Sequence, residues 1–153
     1  MTLSNRQLAT LLSVLLALVV VTPLPVKSQT AQVKIIAHIG VPLDALSAGQ
    51  LRRIFSMRQT SWPDQQRIVV YVLNNEHGIH PSFSKHILGM FPYQLERIWN
   101  KLVYSGLGNK PIKVNNEQEM VEKIRQQPGA IGYVTYSVVD KGVKFIAVEE
   151  EEG

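Results

Sequence analysis

The 153 residues contain no cysteine. That excludes disulfides, thiolate metal sites, cysteine nucleophiles and a lipid-acylated N-terminal cysteine. Aromatic residues make up only 7%, and no basic stripe with interleaved aromatics occurs, which argues against a nucleic-acid partner. No uninterrupted apolar run reaches the roughly 20 residues a bilayer-spanning helix needs. The longest apolar stretch, Leu11 to Val21 with Ser13 inside it, follows the positive charge of Arg6, and Pro23 and Pro25 break any helix after it. Val26-Lys27-Ser28 then places small or modest residues where a signal peptidase reads. This layout predicts a secretory signal over 1–28, cut near Ser28–Gln29. An uncleaved N-terminal anchor is the alternative. The expected product is soluble after cleavage and periplasmic, and its lack of disulfides suits a domain large enough to build a core.

Residues 29–148 are expected to form one α/β domain, and the glutamates of 149–153 an acidic, solvated tail. Without Arg6 and Lys27, 14 basic residues face 12 acidic ones, four of which lie in that tail. The body is therefore mildly basic, suited to small anions. Strands are predicted at Gln32–Gly40, Arg67–Asn74 and Lys144–Glu149. The middle one is apolar almost throughout, as a strand covered on both faces must be. Ser47 with Gln50, and Asn116 with Glu119, are cap signatures that open two helices with apolar stripes Leu51/Ile54/Phe55 and Met120/Val121/Ile124. Between them Pro92 starts a third, with Leu95, Ile98, Trp99, Leu102 and Val103 as its core stripe. Such alternation implies layers, with helices on both faces of a sheet.

The segment Leu73–Leu88, LNNEHGIHPSFSKHIL, holds three of the four histidines where a strand becomes a helix. If Pro81 begins that helix, the free amides of Ser82, Phe83 and Ser84 would attract an oxyanion, aided by the hydroxyls of Ser82 and Ser84, a ring N–H of His80 and the charge of Lys85. A metal held by His77, His80 and His86, with Glu76, is the weaker reading, because these groups divide between loop and helix. A plain strand-to-helix turn is the bland one. No metal or cofactor is expected. Ser105–Pro111, SGLGNKP, follows a helix and lacks the Gly-Lys-Ser/Thr ending of a phosphate loop, so it reads as a helix stop. Gly129 and Gly132 of PGAIGYV suit turn geometry and close backbone packing. No nucleophile elbow accompanies any Ser/His/Asp set, so the chain is expected not to be an enzyme.

Four stretches carry a family pattern. LSAGQLRRIFSMRQTSWPDQQRIVVYV, FPYQLERIWNKLVYSGLGNKP and IRQQPGAIGYV, with the opening strand, span roughly Val33 to Val134 and resemble the PstS type of phosphate-binding protein, the solute-binding component of phosphate ABC transporters. The resemblance implies a single lobe of a type II periplasmic-binding-protein-like fold, a mixed sheet with helices on both faces. The family holds its anion between two lobes, and this chain is about half that length. The family's Ser-Gly-Thr loop is replaced here by Ile79-His80-Pro81, and Asn74 or Asn75 stands where its arginine would be. Asn74, Asn75, His80, Ser82, Phe83 and Ser84 are therefore the candidate ligand-binding residues, for phosphate or a related oxyanion in uptake or sensing. The alternative is a non-enzymatic adaptor that kept the fold, lost the ligand site, and contacts an envelope transporter or sensor through Trp62, Phe91 and Tyr93.

Overall fold

A computed structural model describes residues 32–135 and 142–149. The expected signal segment and all but the first residue of the acidic tail lie outside the described residues. Glu149, placed both in the predicted last strand and at the start of that tail, closes the strand opposite Ser47.

The chain order is β1 (Val33–His38), β2 (Ala45–Ser47), α1 (Ala48–Phe55), β3 (Val69–Leu73), α2 (Ile79–His86), α3 (Pro92–Tyr104), β4 (Ile112–Val114), α4 (Glu117–Gln126), β5 (Ala130–Thr135) and β6 (Val143–Glu149). The six strands form one sheet in the order β2-β6-β1-β5-β3-β4. β1 runs antiparallel to both neighbours, whereas β2/β6, β3/β4 and β3/β5 pair in parallel. Five strands thus point one way and end at one rim. This is the mixed α/β sheet with covered faces that the apolar strands required.

Adjacent residues of β5 show how the faces are covered. Gly132 faces α4, so closely that a Cβ there would meet Met120 Sδ at 2.4 Å and Ile124 Cδ1 at 2.8 Å. Tyr133 points to the other face, where its ring stacks on Phe83 of α2 with centroids 3.8 Å apart, and Phe55 of α1 packs edge-on to Phe83 at 4.7 Å. α3 packs outside α2, and its Trp99 Nε1–H donates to the Phe55 carbonyl at 2.9 Å. Each such buried aromatic removes most of its surface from water, a contribution of about 2–3 kcal/mol.

Both predicted caps form. Ser47 Oγ accepts from the Gln50 amide while Gln50 Oε1 accepts from the Ser47 amide, and Asn116 Oδ1 accepts from the Glu119 amide at 2.8 Å. SGLGNKP ends α3 through Gly106 in the left-handed region at φ 68°, with the Leu107 amide returning to Leu102 O. Gly129, at φ 77°, lies so close to Arg67 O that a Cβ would stand 2.3 Å from it.

Two expectations need correction. Of the α3 stripe, Leu95 and Trp99 are fully buried, but Val103, in the last turn, is 44% exposed. Trp62 is not a surface contact. It is 1% exposed, and its indole N–H donates to the Gly129 carbonyl at 3.0 Å. A large indole beside an apolar strand buries itself wherever its N–H finds a buried acceptor.

Candidate functional site

Helix α2 begins at Ile79, not Pro81, with Gly78 at its N-cap. The two-residue difference changes the chemistry of the segment. The amides of Ser82, Phe83 and Ser84 fall in the fourth to sixth helical positions, where each bonds the carbonyl four residues back instead of facing outward. Phe83 and Ser84 are fully buried, and Ser84 Oγ donates to Met90 O at 2.6 Å, tying down the turn after the helix. Ser82 is half-buried and lines a groove of about 720 Å³ with Val33, Ile35, His86 and Ile146. The outward-facing amide cradle expected at Ser82–Ser84 does not form there. Pro81 lacks an N–H and fits anywhere in a first turn, so its position did not fix the helix start.

His80 turns inward from α2 and is fully buried. Its Nδ1 lies 2.5 Å from Tyr133 Oη, which also accepts the Leu73 backbone N–H at 3.0 Å. The phenol donating its hydrogen to Nδ1 leaves one orphan, the Nε2–H, whereas the reverse orientation would orphan both the phenol hydrogen and a ring lone pair. Burial lowers the His80 pKa to about 4, with the Lys113 charge adding to the shift and Glu96 opposing it, so the ring is neutral at pH 7. Burial likewise raises the Tyr133 phenol, an effect the Leu73 amide opposes. His77 Nδ1 and His80 Nε2 are buried without a hydrogen-bond partner. His86 is exposed on α2. Among the described residues no three His, Asp or Glu side chains are placed to hold a metal ion.

Asn74 and Asn75 emerge from the end of β3, beside the end of β4. Leu73 pairs with Val114, so Asn74 and Asn115 stand side by side as the strands finish. The Asn74 amide donates to Val114 O at 3.2 Å, and its side chain to Asn115 Oδ1 at 3.1 Å. Asn75 Nδ2 donates to Glu96 Oε1 at 3.2 Å, and Lys113 Nζ donates to the same oxygen at 2.7 Å. Asn115 gives both its backbone N–H and its Nδ2 to Glu119 Oε2, at 2.9 and 3.0 Å. Burial alone would raise the Glu96 pKa. The hydrogen bond and charge of Lys113, with the Asn75 amide and the Lys110 charge, outweigh it and hold the carboxyl below its usual value.

This rim brings together donors from two strand ends, β3 and β4, at the carboxyl side of parallel strands, where open α/β sheets place ligands, with Glu96 of α3 and Glu119 of α4 as their acceptors. Of the six residues expected at a site, Asn74 and Asn75 belong to the rim. His80 lies beneath it, close enough to feel Lys113 and Glu96. Ser82, Phe83 and Ser84 do not join it. Lys113, Asn115, Glu96 and Glu119 were missed, although a signal was present: Leu73-Asn74-Asn75-Glu76 repeats as Val114-Asn115-Asn116-Glu117, two strand ends with one chemistry.

A family model described as a PBP superfamily domain matches residues 4–147. No curated protein matches the chain. Among solved structures, a protein described as a phosphate ABC transporter substrate-binding protein with bound phosphate, from Clostridium perfringens, is similar with a TM-score of 0.62 and 21% identity over 76% of this chain and 44% of that one. An ABC-type phosphate transport receptor from Vibrio cholerae gives 0.58 and 21% over 79% and 46%. PstS from Borrelia burgdorferi gives 0.57 and 16% over 76% and 47%. At these identities the likeness is one of fold, and the chain spans less than half the length of each structure.

Proposed function

The chain belongs to the PBP superfamily, and from that premise we propose that it is an exported solute-binding lobe taking phosphate or a related oxyanion at the rim where β3 and β4 end. One observation carries this reading: Asn75 Nδ2 and Lys113 Nζ, from two different strand ends, converge on a single oxygen position at 3.2 and 2.7 Å. An amide and an ammonium directed at one point recognise an anionic oxygen, and a charge-assisted bond of this length is the stronger kind. Asn74 and Asn115 fix the two strand ends that aim them, and neutral His80 supports the floor. The solved structures of the same fold include one with phosphate bound, which supports the choice of anion. The layout of residues 1–28 supports export to the periplasm. No step of catalysis enters this role.

A one-sided rim excludes little water, so affinity for free phosphate should be weak, with a dissociation constant of about a millimolar. A second wall, from another copy or an envelope transporter, would tighten it. Titration of the protein with inorganic phosphate at low salt tests the reading. Saturation that Lys113→Gln abolishes supports it, and no saturation at any millimolar concentration overturns it.

A second reading, contact with an envelope transporter or sensor, is favoured by one surface feature. Phe91 and Tyr93 stack at 5.7 Å while remaining 48% and 61% exposed, and Lys85 Nζ lies 5.3 Å from the Phe91 ring. Alanine at both positions should abolish that contact; an unchanged set of envelope partners would remove the surface from consideration.

A further inference from the structure

Both donors that would grip an oxyanion at the rim already hold an oxygen, and it belongs to the chain itself. Glu96 projects from the second turn of α3, and its Oε1 accepts from Asn75 Nδ2 and Lys113 Nζ together. The carboxylate side chain is 21% exposed and that of Lys113 41%, so the pair sits at the mouth of the rim and not beneath it. A second glutamate repeats the arrangement one strand over, where Glu119 Oε2 accepts the backbone and side-chain amides of Asn115. Asn75, Lys113 and Asn115 thus each meet a carboxylate, whereas Asn74 donates to amide and carbonyl oxygens.

We propose that Glu96 is a resident competitor: its carboxylate occupies the oxygen position of the ligand and sets how strongly a free oxyanion can bind. The inference rests on the reading of the rim as an oxyanion site. A carboxylate and a phosphate present the same kind of oxygen to an amide and an ammonium, so one replaces the other without rearranging the donors. The difference is tethering. A group fixed on α3 acts at an effective concentration in the millimolar range or above, and free phosphate must exceed that to displace it. Electrostatics add to the effect. With Glu96 present, one negative charge faces Lys113 and the nearby Lys110; without it two positive charges face the opening. Anything that draws α3 away from β4, such as a second wall docking against the rim, would release Lys113 and Asn75 together and couple docking to anion capture.

A plain structural role for the same contact predicts something else. As an ordinary surface ion pair joining α3 to β4, Glu96–Lys113 would contribute at most about 1 kcal/mol to stability and nothing to ligand affinity. Phosphate binding separates the two. Inorganic phosphate is titrated at low salt into the protein, Glu96→Gln, Glu96→Gln/Lys113→Gln, and Glu122→Gln, which removes a carboxylate from an exposed pair on α4. Glu96→Gln should bind about tenfold or more tightly than the parent, the double variant should lose that gain, and Glu122→Gln should match the parent. Glu96→Asp, which keeps the charge on a shorter stem, serves as a second variant if the glutamine form unfolds, and should gain affinity by a smaller factor. Equal binding by the parent and Glu96→Gln, with Lys113 still required, leaves the oxyanion site standing and overturns the competitor. Absence of binding in every form overturns the oxyanion reading and the competitor with it.

Discussion

The two ends of Leu73–Leu88 have the same kinds of polar side chain and opposite fates. At the strand end, Asn74 and Asn75 stay at the surface and aim their amides at neighbours on β4 and α3. Five to nine residues after Asn75, His80, Phe83 and Ser84 are folded inward, each fully buried, with histidine and serine paired to Tyr133 and Met90. The difference teaches that donor chemistry alone does not mark a site. A serine or histidine on the inner face of a helix closes the core's own hydrogen bonds, whereas a side chain at the end of a strand has lost the partner strand that would otherwise use it.

That contrast can be broken first at its buried end. Phe83→Ala removes a ring stacked on Tyr133 and packed on Phe55, and should cost about 3–5 kcal/mol, measured by denaturant unfolding. A loss below about 1 kcal/mol would mean that this helix is not held by the aromatic layer.

Acid provides the next effect. His80 has a folded pKa of about 4, below the ordinary value of 6.5 for an unfolded chain, so the unfolded state binds the proton more readily. Its contribution to stability is complete above about pH 6.5 and declines as pH falls toward 4, by about 3 kcal/mol across that window. Urea unfolding at several pH values should show this slope, and His80→Gln should flatten it. A slope unchanged in the variant would assign the acid sensitivity elsewhere. The rim lies at the other extreme: its exposed pairs should contribute under about 1 kcal/mol each, which leaves them free to be judged by binding.

The sequence disclosed most of the fold because its elements follow local rules. Ser47–Gln50 and Asn116–Glu119 cap helices through residues three apart, and the apolar run Val69–Leu73 has no place except inside a covered sheet. Gly132 reads as a close-packing position and is one. The proposed rim was half legible. Asn74 and Asn75 can be placed at a strand end by counting, but Lys113 and Glu96 meet them only through the parallel pairing of β3 with β4 and the return of α3, contacts between residues 17 to 41 positions apart. Ser82 and Ser84 misled because a shift of two residues in a helix start turns free amides into internal ones, and Pro81 is compatible with either start.

The central claim is that the rim, and not the start of α2, receives the anion. Phosphate titration followed on the backbone amide resonances of the protein tests it most directly. Saturating shifts concentrated at Asn74, Asn75, Lys113 and Asn115, absent from Lys113→Gln, are the predicted result. Shifts centred on Ser82–Ser84, or none at any millimolar concentration of phosphate, would contradict it.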